Sequence, residues 1–391
     1  VNFKMSSIAV VGNGPVGSSV ARALAVNHGR IVDLFSSSSL WSAHDDNGRI
    51  TRVLDFEHSP EWYRWNSTSL KSWRELERMS GKSFYCECGS AVLVPEADCA
   101  KLEQQLQGCT YRQIKRSDIL DDMLGSKVAP EGLLEPEAGY VNPRELVTAQ
   151  NEILFSHGGQ VLYETVQDFA QMESGFEVRT DHGVHVYDKL VLCAGPFTNQ
   201  LLSNHSANLC ERLPVKVSRR TVLLGEVSES LAKGQLAGMP SLKLSVEPPS
   251  AEGLGSSLRD AREAASVYIL PPIWYDEYSG YYVKIGGGPN DFIDEEDLGA
   301  AIEAWRHAEA HPVQLPFLKE VMMQVFPSIE FLSWRTKNCI TTSAGDAPLM
   351  REVRCGGKLV IVANCQGKAV MASPAIGDEV AALVCSVPSY L

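Results

Sequence analysis

Apolar residues along the chain fall into two kinds of run, and their spacing divides it into strands and helices. Unbroken runs opening at Ile8, Leu190 and Leu359, each followed by a glycine turn, have the length of buried strands. Between them the spacing predicts a helix over 18–26, a strand over 31–35, and an amphipathic helix over 61–79 with Trp62, Trp65, Leu70, Trp73 and Leu76 on or near one face. A strand at 89–95 and a helix at 96–107 follow. Asn142 before Pro143 reads as a capped helix start, and His157-Gly158-Gly159 stops that helix near residue 156. Residues 161–166 form a strand, 175–180 and 183–187 a hairpin across Asp181-His182, and the run 187–197 is a buried strand ending in a glycine turn before a helix at 198–202. Residues 214–225, 266–270 and 281–286 alternate like strands of an antiparallel sheet. Residues 247–262, rich in Pro, Gly, Ser and charge, read as a mobile loop that can act as a lid. A strand at 358–364 and a helix at 375–384 close the chain. Buried strands at both ends with an antiparallel block between them imply a nucleotide-binding domain assembled from separate segments.

The first apolar run leads straight into Gly12-Asn13-Gly14-Pro15-Val16-Gly17 and then into a helix. A dinucleotide-binding βαβ unit needs that order. Gly12 allows the tight turn, Gly14 lets a pyrophosphate approach the backbone, and Gly17 lets helix and strand pack closely. The free N–H groups of the turn and the positive end of the helix then hold the phosphates. One part of the pattern is missing. The second strand of such a unit ends in an acidic residue that binds a ribose hydroxyl, whereas this one ends in Ser36-Ser37-Ser38-Ser39. Asp33 lies earlier in the strand and should point elsewhere, which leaves Ser36 to meet the ribose.

Composition narrows the partners. A chain of 391 residues, 44% hydrophobic and 21% charged, is long enough for two domains with real cores. The formal charge of −13 argues against nucleic acid or an anionic membrane surface, because both need concentrated Lys and Arg. A small-molecule ligand is the better expectation. No stretch approaches the roughly 18 consecutive apolar residues of a membrane span. The ten cysteines are scattered with no CxxC pair, which suits neither zinc nor a disulfide framework and implies reduced thiols in a cytoplasmic compartment. Cys86 and Cys88 would face opposite ways on one strand and read as structural. The residues ahead of Met5 read as an addition to the chain, and nothing in it reads as an export signal.

Taken in order, these segments resemble the sarcosine-oxidase-like family of FAD-dependent amine oxidases, which includes the N-methyltryptophan, pipecolate and secondary-metabolite imino-acid oxidases. The anchors are the glycine turn, residues 42–52, residues 189–202, Val283-Lys284-Ile285-Gly286, Cys339 with Asp346 seven residues on, and residues 366–377. The resemblance implies a mixed α/β (α+β) fold with a Rossmann-like FAD-binding domain and a second, antiparallel-sheet substrate domain, the D-amino-acid-oxidase-like architecture. It divides the chain into 1–84, 142–213 and 336–391 for FAD, and 85–141 and 214–335 for substrate. It places Gly12, Gly14, Pro15, Val16, Gly17, Ser36, Arg49, Val166, Ala194, Gly195, Asp346, Gly367 and Lys368 along the cofactor, with Cys339 as the point of covalent attachment to the 8α-methyl. Lys284 matches a lysine that assists electron transfer to O2, where a fixed cation offsets developing negative charge. Arg49 and His44 match residues beside the flavin ring, and Arg52 matches the arginine that pairs with a substrate carboxylate, a role suited to its bidentate geometry.

Three departures temper the match. The neighbour of His44, often a second histidine, is Asp45; Met371 stands where the family has a second carboxylate-binding lysine; and Lys368 occupies a position where histidine is common. The bland alternatives are a core cysteine at 339, a solvated strand lysine at 284, and surface arginines at 49 and 52 neutralised by Asp45, Asp46 and Asp55. The chemistry implied is hydride transfer from the α-carbon of a secondary amine, amino acid or imino acid to the flavin, giving an imine, with O2 reduced to hydrogen peroxide. An NAD(P)-dependent dehydrogenase and a flavin-binding protein without turnover are the alternatives. The expected pocket walls are the second sheet, Trp62 to Trp65 and the 247–265 loop, with no metal site, no fixed substrate and an open oligomeric state that a monomer would satisfy.

Overall fold

The computed structural model describes residues 7–54, 59–106, 108–120, 123–204, 211–247, 265–294, 297–345 and 349–386. The 248–264 part of the expected lid, Asp346, Asp55 and the residues ahead of Met5 lie outside them.

The unbroken apolar runs become the centre of a six-stranded sheet. Its order is Met350–Arg354, Leu359–Ala363, Lys189–Leu192, Ser7–Val11, Ile31–Phe35, Gln160–Leu162, and only the first of these strands is antiparallel to its neighbour. Strands covered on both faces carry apolar residues at every position, which explains the lack of alternation. Ile8 and Val10 face the helices Pro15–His28 and Ala369–Ser386. Ala9 and Val11 face the other way, toward Phe169, Phe176 and Val178 of a three-stranded antiparallel sheet.

A second, nine-stranded sheet runs Asp291–Phe292, Lys216–Val227, Gly280–Gly287, Ser266–Tyr275, Ser241–Ser245, Ser90–Val94, Glu131–Glu135, Arg112–Lys115, with Trp334–Ser343 also paired to Lys216–Val227. One of its faces buries Leu223, Val267, Ile269, Val283 and Ile285 against Phe317, Leu318, Val321 and Met322 of helix Gln314–Val325. The opposite face is left for the site. A small sheet of Arg49–Thr51, Gly139–Val141 and Tyr85–Cys86 lies between the large ones.

Several elements depart from the pattern-based expectation. Strand 161–166 is two short strands in different sheets, Gln160–Leu162 and Val166–Gln171, and helix 96–107 ends in a 3-10 turn at Gln104–Leu106. The last helix begins at Ala369, ahead of the expected start at 375, and contains Pro374. Pro374 cannot donate to Val370 O, but Ser373 Oγ donates to that carbonyl at 3.1 Å, so the helix passes through. By length and mean hydropathy (1.3) this helix could cross a membrane; 61% of it is buried inside the fold. Trp62 and Trp65 do not form pocket walls. They are buried in the core beside this helix, because the apolar face of helix Pro60–Ser80 is used up there. Cys88 lies past the end of its strand, so alternation does not separate it from Cys86: a hydrogen bond between the two thiols pulls Cys86 down to about 6 and pushes Cys88 up.

Candidate active site

A cavity of about 680 Å³ opens along the carboxyl ends of the first sheet's strands, the usual position for a nucleotide in such a fold. Gly12, Gly14, Pro15, Val16, Ser36, Val166, Ala194 and Gly195 line it, as do His44, Arg49, Cys339 and Gly367. The glycine turn is built as its sequence requires. Gly12 has φ +109°, and a Cβ there would lie 2.4 Å from Cys193 O. A Cβ on Gly17 would lie 1.8 Å from Gly12 O, so Gly17 serves helix packing and is not itself part of the wall. At Gly14 nothing stands within 4 Å of a Cβ, which leaves open the space a pyrophosphate needs in front of the helix N-terminus. Shape and donors therefore fit FAD.

At the ribose end Asn13 Nδ2 donates to Ser36 Oγ at 3.4 Å, and Ser37 Oγ bonds Thr165 Oγ1 at 2.8 Å. Asp33 is turned away, accepting from Gln160 Nε2 at 3.0 Å and Tyr187 OH at 2.7 Å. The carboxylate on this wall is instead Glu164, which pattern reading missed because it sits between two short strands; it accepts from Thr180 Oγ1 at 2.7 Å and His185 Nε2 at 2.8 Å.

The pleat of the second sheet brings the remaining candidates together. Alternate residues share a face, so Arg220, opposite Cys339, lies on the same side as Leu224, which is opposite Lys284. Tyr268, opposite Gly286, and Lys243, opposite Tyr268, complete that face. Cys339 is half-buried, and Arg49 Nη2 donates to its sulfur at 3.6 Å. Arg49 also donates to Ala43 O at 3.0 Å and forms an ion pair with buried Asp46. It is no surface charge. His44 bonds Ser42 Oγ through Nδ1; burial first and then the Arg49 charge lower its pKa to about 4, so it is neutral at pH 7.

Lys284 lines neither this cavity nor the next one. It is fully buried one layer behind the wall, its ammonium 2.6 Å from Asp46 Oδ2 and bonded to Gly48 O. Tyr275 OH donates to the other Asp46 oxygen at 3.0 Å. Burial would raise the Asp46 carboxyl, but Lys284 and Arg49 outweigh it and hold it below the usual carboxylate range. Burial and then Arg49 pull Lys284 down to about 8, with Asp46 opposing. Two cations around one anion leave one net positive charge.

A second cavity, of about 180 Å³, shares Arg49, Cys339, Thr341, Thr342, Gly367 and Val370 with the first. Arg52, Lys368 and Met371 line it together, so Lys368 belongs to this cavity and not to the larger one. Lys368 Nζ lies 5.0 Å from the centre of the Trp62 ring, whose Nε1 donates to Gln366 Oε1 at 2.9 Å. Arg52 lies beside buried Glu135, which accepts from Val53 N at 2.7 Å; burial pushes Glu135 up to about 7 against the pull of that N–H and of Arg52. Arg220, Lys243 and Tyr268 complete the wall. None of these three stands out in the sequence, because only strand register places them here.

The profile of the family described as DAO, FAD dependent oxidoreductase, matches residues 7–383. Monomeric sarcosine oxidase from Bacillus sp. (strain NS-129) is 24% identical over 288 residues, which are 70% of this chain and 73% of that protein. The enzyme of the same name from Bacillus sp. (strain B-0618) is 23% identical over 57% of this chain and 58% of its own. Among solved structures, NikD, an amino acid oxidase of nikkomycin biosynthesis, superposes with a TM-score of 0.74 at 20% identity, covering 99% of this chain and 96% of that one. L-proline dehydrogenase from P. horikoshii superposes with a TM-score of 0.73 at 18% identity, covering 98% and 96%. The structural likenesses speak for the two-sheet fold, and the family match spans both sheets and the glycine turn. The chain therefore belongs to the DAO family and is an FAD-dependent oxidoreductase.

Proposed function

We propose that the protein oxidises a secondary amine, amino acid or imino acid to an imine, reducing O2 to hydrogen peroxide. The observation that supports this reading best is the wall shared by the two cavities. A small cationic chamber opens against the dinucleotide site at Arg49, Cys339 and Gly367. FAD, when bound, supplies the acceptor for the hydride leaving the substrate α-carbon and passes the electrons on to oxygen. The chain supplies the rest. Arg52, helped by Lys368, holds the carboxylate; Lys368 stands in for the cation that Met371 removes, since both line the chamber. Neutral His44 and ion-paired Arg49 border the redox centre, and Cys339 is the attachment point for the cofactor. In this reading 1–84, 142–213 and 336–391 bind FAD, while 85–141 and 214–335 bind substrate. Strand Trp334–Ser343 straddles that division, pairing with the second sheet while presenting Cys339 to the first cavity. Free thiols at the described cysteines support a cytoplasmic setting. The family match sets aside an NAD(P)-dependent dehydrogenase and a flavin binder without turnover.

Lys284 is assigned to the oxygen half of the cycle, acting through its net charge with Arg49 and Asp46. Lys284→Met should slow the reaction of the substrate-reduced enzyme with O2 by at least about tenfold, the order of 1.4 kcal/mol of lost charge stabilisation. The ammonium is charged below its pKa of about 8 and neutral above it. The wild-type rate should therefore fall as pH rises through that value, and the variant should lack this limb. Stopped-flow reoxidation across pH checks both, and an unchanged rate removes Lys284 from the mechanism.

A further inference from the structure

Glu135 is the last residue of strand Glu131–Glu135, and only 2% of it is exposed. The pleat puts it on the same face as Leu133, which packs with Val53, Leu54 and Val92 in an apolar cluster. A carboxylate set beside such a cluster is costly to bury and needs compensation. Two consecutive amides supply it: Val53 N donates to Oε2 at 2.7 Å and Leu54 N to Oε1 at 3.3 Å. One carboxylate oxygen on each amide fixes the backbone immediately after Arg52, where the chain bends at Val53. Arg52 lines the second cavity, whereas Glu135 lines neither cavity. The second sheet therefore grips the segment that carries the arginine from behind, and Glu135 can act on a ligand only through Arg52.

We propose that Glu135 is the positioning residue for Arg52: it holds the backbone after the arginine in place, and its charge is the one with which a ligand carboxylate must share the guanidinium. This inference rests on the amine-oxidase reading above, in which Arg52 takes the substrate carboxylate, and deepens it. Burial pushes Glu135 up to about 7 against the pull of the Val53 amide, of Arg52 and of the Leu54 amide. Tyr63 of helix Pro60–Ser80 faces it too; its phenol, bonded to Cys109 Sγ at 3.3 Å, is pushed up to about 12 and stays neutral. The charged groups on the cavity side, Arg49, Arg220, Lys243 and Lys368, are all cations, and Lys284, pulled down to about 8, lies behind Arg49. A carboxylate arriving at Arg52 brings a second anion near Glu135 and raises its pKa further. Binding then takes up a proton, so affinity is highest below pH 7 and falls as pH rises through that value.

The test is calorimetry of butyrate on the FAD-loaded protein, in two buffers of unlike ionisation enthalpy. The wild-type Kd should rise by about fivefold between about pH 6 and 8, with a fraction of one proton taken up at pH 7. Glu135→Gln, which keeps the shape without the charge, should lose most of that uptake. Glu135→Asp, which keeps the charge but shortens the reach, should retain it while binding butyrate more weakly at each pH. A role in packing alone would weaken both variants and leave the uptake unmoved. Wild-type binding without proton uptake, or an uptake in Glu135→Gln equal to the wild type's, overturns the inference, and the first of these needs no variant to fold. Failure here is separable from failure of the parent reading, which survives if Arg52→Ala still weakens butyrate. If butyrate binds the wild type no better than butyramide, the carboxylate role of Arg52 falls and this inference with it.

Discussion

Arg52→Ala is expected to weaken a carboxylate-bearing ligand by about 2–5 kcal/mol, or roughly thirty- to several-thousandfold in Kd. The size follows from the setting. Arg52 is buried at the wall of a small cavity, where a ligand carboxylate would be largely desolvated and dependent on its cationic partner. Removing the guanidinium also deprives Glu135 of a favourable charge, so that carboxyl should titrate still higher than about 7 in the variant. Lys368 faces the same cavity and retains some attraction for an anion, which sets the residual affinity. The measurement is the Kd of a carboxylate ligand and of its amide in both proteins. A substrate site for an uncharged amine would show equal affinities for the two ligands in the wild type and no effect of the substitution.

Cys339→Ser should convert a retained cofactor into a released one. The residue lines both cavities, with Arg49 Nη2 3.6 Å from its sulfur and the Ala43 and Ile340 carbonyls as hydrogen-bond acceptors at 3.8 and 3.7 Å. Among the described cysteines Cys339 alone lines both cavities; Cys193 and Cys365 line only the larger one. Acid-denatured wild-type protein should keep its yellow colour in the pellet, whereas the serine variant should lose it to the supernatant. Colour that leaves the wild-type pellet rules out the link. The serine variant should still bind FAD, because the glycine turn and the large cavity do not depend on residue 339.

What could be read from the chain was what is local. The turn from Gly12 to Gly17 carries its glycines within six residues, and the apolar runs opening at Ile8, Leu190 and Leu359 each announce a buried strand. Helix Pro143–Ser156 carries its cap in its sequence, with Asn142 Oδ1 accepting from Arg144 N at 3.1 Å and Glu145 N at 3.2 Å. Strand Trp334–Ser343 escaped notice because its polar residues are accommodated by pairing along Lys216–Val227 and not by an apolar face of its own. The second half of the site was hidden for a related reason. Arg220 and Lys243 lie on strands separated by two others, and only the register that aligns Arg220 with Cys339 and Lys243 with Tyr268 brings them to one cavity. The position of Lys284 behind the wall was equally illegible, since it depends on Asp46 reaching the same point from a distant segment.

The central claim, that this FAD-dependent oxidoreductase removes hydride from a carbon next to nitrogen and passes the electrons to O2, is tested most directly by one anaerobic titration. Purified holoenzyme is mixed without oxygen with a panel of amines, N-methyl amino acids, cyclic imino acids and 2-hydroxy acids, and its visible flavin absorbance is followed before and after air is admitted. The account predicts bleaching by at least one carboxylate-bearing amine or imino acid, no bleaching by the hydroxy acids, and return of the yellow spectrum in air with one hydrogen peroxide formed per flavin reoxidised. Bleaching by hydroxy acids alone, or a bleached enzyme that stays colourless in air, would contradict it.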